Sequence, residues 1–369
     1  MLKTIISEQY MTIVRAIEII LLVLLIPLLY NFVPISKDAS ETLYIDARNI
    51  KSIVDSLEKN GYTVTLVDKI MIQTDTMPQS GWYTLDKHQY GRFNFFRNIY
   101  KYQAETMDIV IYAGETHNEL LARLSNDLKL DRDKLYTYYK SMSKFKEADI
   151  FAGHYRIARN ANEKSVMLYL FSVSNKMLEL FVEKTFKNRP DHFGLKVLLT
   201  IASIIQKESN SVQEMPVISS VIHNRLAKNM KLQMDSTLNY GDYSHTIVTP
   251  ERIKTDTSYY NTYKHKGLPP YPLSTVTLEA LHAAMFPEKS EYLFFMLKPD
   301  GGHKFCATYE DHLENIRKFR AYQKEKKEEK MKREKALADA NKTSTENNDT
   351  DDNRSKPSPD RNVTVSRSL

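Results

Sequence analysis

The chain has 369 residues, 42% of them hydrophobic, which is enough for two domains of ordinary size with real cores plus extensions. Its one cysteine, Cys306, excludes an internal disulfide framework. The formal charge of +6 is small for this length, and much of the basic excess sits in a mixed Lys/Glu run rather than in a basic patch interleaved with aromatics, so nucleic-acid binding is disfavoured.

From Ala16 to Val33 the run AIEIILLVLLIPLLYNFV approaches the length that crosses a hydrocarbon core of roughly 30 Å. Residues 1–36 therefore read as a short stub and a single transmembrane helix. Glu18 can reach the headgroups, Tyr30 suits an interfacial belt, and Pro27 is tolerated in a membrane helix. A cleavable signal peptide is the alternative, but no A-x-A-like site follows in NFVPISKDAS. Lys3, Arg15 and the α-amine precede the span and Lys37 follows it, which orients the N-terminus toward the cytoplasm.

Residues 41–186 alternate between strand and helix patterns: LYIDA, then NIKSIVDSLEKNG closing on Gly61, then YTVTLV as a second strand. This predicts an α+β or βαβ-like module. Within it, residues 108–157 run from the strand MDIVIYAGE through a turn at Gly114 and two helical segments to the short strand in AGHYRI. That order resembles a LysM-type βααβ unit, the sort that grips N-acetylated glycans, although many small α+β units share it.

Residues 191–322 carry the most unusual sequence. In LKVLLTIASIIQKES, Val197, Ile201, Ile204 and Glu208 fall on one face of a helix, while Lys196, Thr200, Ser203 and Lys207 lie on the opposite face and Gln206 lies away from the Glu208 row. A carboxyl at the end of an apolar stripe is poorly solvated. Desolvation raises a carboxyl pKa toward neutrality, so such a group can donate a proton and take one back, which is glycosidase chemistry. The structural alternative is a helix-end carboxylate that reaches water or a salt-bridge partner. A second helix follows in EMPVISSVIHNRLAKN, with Pro216 in its first turn. Between Met230 and Leu273 the pattern breaks into MKLQMDSTLNYG, SYYNTY and GLPPYPL, where Pro269, Pro270 and Pro272 pre-extend a wall suited to lining a groove. LEALHAAMF reads as a helix, EYLFFMLK and HKFCATY as a hairpin across PDGG, and a closing helix starts near Tyr309.

Residues 323–369 read as a charged helix without an apolar stripe, then a polar, disordered tail. Four asparagines there, Asn341, Asn348, Asn353 and Asn362, sit in an acidic-x-Asn-x-Ser/Thr setting. The pattern resembles the acceptor sequon of bacterial oligosaccharyltransferases, which act outside the cytoplasm; a merely solubilising linker is the alternative.

The blocks IASIIQKES, VIHNRL, MKLQMDSTLNYG, YNTYKHKGLPPYPL, HAAMFP and GGHKF, in that order and spacing, resemble the endolytic murein transglycosylase family, MltG or YceG-like. The likeness extends over everything but the charged tail. Many relatives have a glutamate where this chain has Gln206, and a clearer Gly-Tyr-Leu-x-Pro-x-Thr-Tyr motif where it reads GHYRIARN. The resemblance implies an α+β protein with a single N-terminal transmembrane helix, a LysM-like module and a mixed α+β catalytic domain, held in the inner membrane with that domain in the periplasm. It implies cleavage of the β-1,4 bond between N-acetylmuramic acid and N-acetylglucosamine in nascent peptidoglycan strands, giving 1,6-anhydro ends and terminating elongation. Glu208 would be acid and then base. Peptidoglycan synthases of the penicillin-binding-protein kind are the implied partners, and no cofactor is implied.

Ordinary glycosidases pair two carboxylates about 5 to 10 Å apart, and Asp235 is the one tempting second carboxylate. Because a substrate N-acetyl group can serve as internal nucleophile, Asp235 is assigned a substrate-orienting or structural role. Asn224, Arg225 and Gln233 offer hydrogen bonds suited to acetamido and lactyl groups, or else hold helices and loop together. Tyr240, Tyr259 and Tyr263 read as sugar-stacking faces or as core packing, and Asn261 and His303 as cleft-lining or structural residues. No HExxH, paired CxxC, P-loop or GxGxxG is present, so neither metal nor nucleotide is expected. Two other readings remain: a muramidase that hydrolyses the same bond, and a non-enzymatic peptidoglycan-binding anchor.

Overall fold

A computed structural model describes residues 2–36, 38–73, 79–86 and 91–348. The chain divides into two compact units, Met1–Glu291 and Tyr292–Leu369. The fold is mixed α+β, and each β pair among the described residues is antiparallel.

The first unit opens with α1 (Leu2–Tyr30), which runs through Pro27 and contains a 21-residue stretch, Tyr10–Tyr30, of membrane-crossing length and hydropathy with none of it buried. Next come β1 (Thr42–Ile45), α2 (Ile50–Lys59), α3 (Leu66–Gln73), β2 (Gly81–Thr84) and α4 (Arg92–Arg97). Asn49 caps α2 by accepting from the Ser52 amide, and Gly61, at φ 99°, ends it in the left-handed region. The expected strand YTVTLV does not form. The Thr65 hydroxyl and amide both donate to Asp68 Oδ2, so Thr-x-x-Asp acts as a helix start and α3 replaces the second half of that strand. Strand β1 pairs instead with β2, Leu43 facing Tyr83, and Leu43, Ile53, Leu57, Phe95 and Phe96 close the core beneath. Antiparallel pairing removes the βαβ option.

Then β3 (Thr106–Ile111), α5 (His117–Leu128), α6 (Arg132–Met142) and β4 (Gly153–Ala158) follow in β–α–α–β order, with Ile109 opposite Tyr155. Thr116 and Glu119 form a reciprocal capping box at the start of α5. Leu120, Leu124, Leu135, Ile157 and Leu170 pack the core that this pair shares with α7 (Glu163–Thr185). Although α7 also has the length and composition of a membrane span, 44% of its apolar window is buried, and it serves as a core helix.

Helix α8 (His192–Glu208) packs on α9 (Met215–Ala227) and α12 (Leu278–Met285). Its sequence suggests an apolar and a polar face, yet Thr200 and Ser203 are as buried as Ile201 and Ile204. Their hydroxyls are satisfied locally: Thr200 donates to Lys196 O and Ser203 to Thr200 O, while Ser203 Oγ accepts the Leu273 amide at 2.9 Å. Between α9 and α12 lie two short helices, α10 (Asp235–Leu238) and α11 (Pro250–Thr255), and the proline-rich segment. Downstream of those prolines, Thr275 and Val276 are stitched to the module: the Gly114 amide donates to Thr275 O, the Thr275 amide to Glu115 O and the Ala152 amide to Val276 O. This brings the Gly114 turn to the end of α8.

The second unit contains the expected hairpin, β5 (Phe294–Leu297) and β6 (His303–Cys306), followed by helix α13 (Tyr309–Asn348). A disordered segment was expected from about residue 340, but α13 continues to Asn348, so Asn341 and Asn348 lie within a helix. Pairs such as Lys326–Glu329 and Lys330–Glu334, together with the alanines of ALADA, favour this continuation. Asn353 and Asn362 lie outside the described residues.

Candidate active site

Glu208 is the last residue of α8, half-buried, where the chain leaves the helix at Ser209. Its Oε1 accepts the backbone amide of Ser236 at 3.1 Å. That amide sits in the first turn of α10, and the loop before α10 is held from below. Buried Arg225 donates through Nη1 to Leu232 O at 2.5 Å and to Lys231 O at 3.2 Å, and the Met230 amide donates to Arg225 O. Gln233 takes a left-handed φ of 52° and donates its amide to Thr262 O, and the Met234 amide donates to Thr262 Oγ1. The MKLQMDST block is thus a rigid corner that presents Asp235 and Ser236 to the end of α8.

Between these elements lies a cavity of about 360 Å³ lined by Gly114, Gln206, Lys207, Glu208, Asp235, Ser236, Asn239 and His245. Glu208 and Asp235 face the same space. Asp235 is exposed and its Oδ1 accepts the Tyr263 hydroxyl at 2.6 Å. Burial and the neighbouring Asp235 and Glu208 charges push the Tyr263 phenol well above its ordinary value, so it remains a donor. The Ser236 hydroxyl is buried and has no hydrogen-bond partner among the described residues.

Lys207 extends from the opposite side, its Nζ 3.4 Å from Gly114 O. Burial pushes its pKa down, and the charges of Glu119, Glu147 and Glu208 act in the other direction. Behind it, Glu147 is almost fully buried and accepts the His117 amide at 2.8 Å and lies 2.5 Å from the His117 ring Nδ1. Desolvation nevertheless leaves its carboxyl raised.

The remaining sequence candidates divide by what they touch. Asn224 Nδ2 donates to Ser290 O, and buried Asn261 donates to Ile253 O and Asp256 O while accepting the Tyr263 amide. Both tie main chain together, as Arg225 does, and the geometry favours the structural alternative for all three. Gln233 contributes its backbone conformation, with its side chain exposed. Tyr240 stacks on Tyr260 at 4.6 Å, and burial pushes the Tyr260 phenol up to about 12. Tyr259 is exposed with its ring 4.8 Å from that of His265, a free face of the kind sugars stack on. His303 belongs to the second unit, edge-on to Phe295 in the hairpin.

Gln206, which helical spacing sets apart from the Glu208 row, also borders the cavity while its Oε1 accepts the Thr277 amide and hydroxyl. Gly114, Lys207, Ser236, Asn239 and His245 were not singled out as site residues from sequence. Asn239 and Ser236 lie inside the MKLQMDSTLNYG block, which was a usable signal; Gly114 and His245 reach the cavity only through long-range packing, and His245 is held by Glu119 at 3.3 Å.

Fold and site define a class: an α+β protein with an exposed apolar N-terminal helix and a carboxyl-bearing cleft where a buried helix ends. Residues 44–318 match the model of the YceG-like family, and the chain belongs to that family. It is similar to a Bacillus subtilis (strain 168) protein named endolytic murein transglycosylase, 32% identical over 164 residues, which is 44% of this chain and 44% of that one. A protein of the same name from Streptococcus pneumoniae (strain R6) is 30% identical over 176 residues, 46% of this chain and 31% of the relative. The chain therefore spans less than half the length of the curated relatives it matches. A crystal structure of a YceG-like protein from Listeria monocytogenes superposes with a TM-score of 0.49 at 23% identity, covering 75% of this chain and 99% of that one.

Proposed function

We propose that this chain is a membrane-anchored lytic transglycosylase that cuts within peptidoglycan strands. Glu208 donates its proton to the glycosidic oxygen between N-acetylmuramic acid and N-acetylglucosamine. The C6 hydroxyl of the same muramic residue then closes on C1 and returns its proton to Glu208, leaving a 1,6-anhydro end with no water consumed. The observation that carries this reading is that Glu208 lines a cavity, with one oxygen accepting the Ser236 amide. Membership of the YceG-like family and the names of the two relatives support it.

Around that reaction, α1 anchors the chain in the inner membrane with its N-terminus in the cytoplasm, and the β–α–α–β module, about residues 108–157, grips glycan in the LysM manner beside a catalytic domain of residues 191–322. Tyr259 offers an exposed stacking face. Synthases that extrude nascent strands are the partners such a cutter would meet, and the tail asparagines are acceptors for periplasmic glycosylation.

Asp235 on the same cavity favours one rival, a two-carboxylate hydrolase. Digesting polymeric glycan with the wild type and Glu208→Gln, and weighing the products, tests both. Anhydro-ended fragments from the wild type alone are expected. Water-added reducing ends would make it a hydrolase, and unimpaired cleavage by Glu208→Gln would remove Glu208 from catalysis.

A further inference from the structure

The end of α1 is clamped to the first small module rather than joined to it by a hinge. The Tyr30 hydroxyl donates to Asp68 Oδ1 at 2.9 Å and also bonds Thr65 Oγ1, both at the start of α3. Asn31 accepts the Arg92 amide on its carbonyl and the Phe93 amide on its side chain. Arg92 pairs with Asp68, both side chains wholly buried, and also donates through its guanidinium to Pro34 O and Thr63 O. Gly91, at φ 83°, lies so close to Asn31 that an added Cβ would fall 2.1 Å from its side-chain nitrogen. A glycine is required there both for the backbone angle and for the close approach.

This junction fixes where α3 lies. A 21-residue span at 1.5 Å per residue is about 31 Å long, so Tyr30 marks one boundary of a bilayer that α1 crosses. Helix α3 starts within hydrogen-bond reach of that boundary. Its inner face buries Asp68 and Ile72, while Leu66 (76% exposed), Val67 (43%) and Ile70 (63%) share the outer face. Phe32, 75% exposed, lies in the segment that connects α1 to the module. Single exposed apolar side chains are ordinary; several on one helix face, continuous with a membrane-length helix, mark a surface that meets lipid.

We propose that α3 is an interfacial helix, with Leu66, Val67 and Ile70 inserted among the headgroups and upper acyl chains of the leaflet that α1 exits. The Arg92–Asp68 pair then closes the polar side of the junction against lipid, and anchor and α3 together hold the first module at a fixed attitude to the membrane. The inference rests on reading α1 as a membrane anchor.

Its test uses the full chain with Cys306→Ser, reconstituted in phosphatidylethanolamine–phosphatidylglycerol vesicles. A nitroxide is placed in turn at Ile70→Cys, Leu66→Cys and Ile20→Cys, the last within α1. Power-saturation EPR should show all three positions more accessible to oxygen than to a water-soluble nickel chelate, with 66 and 70 shallower than 20. Nickel access at 66 and 70 with lipid-like behaviour at 20 would overturn the interfacial helix and leave the anchor standing. Protection of 66 and 70 from both reagents would assign the face to a protein partner and equally overturn the proposal. Nickel access at 20 would remove anchor and interfacial helix together.

Discussion

The Ser236 amide donates to Glu208 Oε1 across 3.1 Å, joining the last turn of α8 to the first turn of α10. A backbone donor fixes the direction of that carboxyl oxygen. The same corner carries Asp235, so the amide that orients one carboxyl sets the position of the other.

Asp235 is tested by comparing its amide with that of Glu208. As an orienting group it keeps its Tyr263 contact in Asp235→Asn, because the phenol donates and an amide oxygen still accepts. Asp235→Asn should therefore retain activity within roughly tenfold of wild type, while Glu208→Gln loses about 10²-fold or more. Tyr263→Phe should lower stability by about 1 kcal/mol or less, since the bond it loses is exposed. Equal losses in the two amide variants, measured as kcat/KM on polymeric glycan, would mark Asp235 as a second catalytic carboxylate.

Arg225 should behave as a structural pin. Arg225→Ala leaves the carbonyls of Lys231 and Leu232 without their donor and opens a cavity under the loop, so a loss of about 2 to 4 kcal/mol is expected in chemical unfolding. Because the corner that presents Asp235 and Ser236 loosens, kcat should fall with stability. An unchanged unfolding midpoint with a raised KM alone would instead place the guanidinium on substrate.

Glu147 makes a prediction about pH with a definite sign. Burial raises its folded pKa above the ordinary 4.5, and the His117 amide and ring only partly offset this. A carboxyl raised by folding contributes stability that is complete below about 4.5 and is lost as pH climbs through its folded value. Glu147→Gln resembles the neutral form at every pH. The stability of the wild type in chemical unfolding, relative to Glu147→Gln, should therefore decline as pH rises above about 4.5. A difference that grows with pH would show that the His117 pairing outweighs burial.

Local signals were legible in the sequence. The helix closing on Gly61, the membrane-length apolar run that begins near Ala16, the two helical segments between β3 and β4, and the hairpin across PDGG each depend on a few neighbouring residues, and the structure has them. YTVTLV was misread because its β-branched residues suggest a strand, whereas the deciding contact, Thr65 with Asp68, is a helix start. Nothing in the sequence says that β1 will pair with GWYT far downstream. The cavity divides in the same way: Glu208 and Asp235 stood out by residue type and motif, while Gly114 arrives through backbone bonds to Thr275 and His245 through a loop with no periodicity. On the polar face of α8, Thr200 and Ser203 are buried, which the sequence does not reveal because the Leu273 amide that donates to Ser203 lies far along the chain.

Lys207 should set the upper pH limit of the reaction. Its ammonium loses solvation on burial but is favoured by Glu119, Glu147 and Glu208, and the interaction with Glu208 is reciprocal: a cation beside that carboxyl favours its ionised form. The proposed first step needs Glu208 protonated, so activity falls on the alkaline side as that proton is lost. Lys207→Met removes the cation, and Glu208 should hold its proton to higher pH. The alkaline limb of kcat/KM should move upward. Lys207→Arg, which keeps the charge, should leave the limb near its wild-type position. Stability is a poor readout here, because the variant loses a long hydrogen bond to Gly114 O but also sheds the penalty of a buried ammonium. The pH–rate profile separates the cases: an unmoved or downward-shifted limb in Lys207→Met would mean that the ammonium does not act on the acid of the reaction.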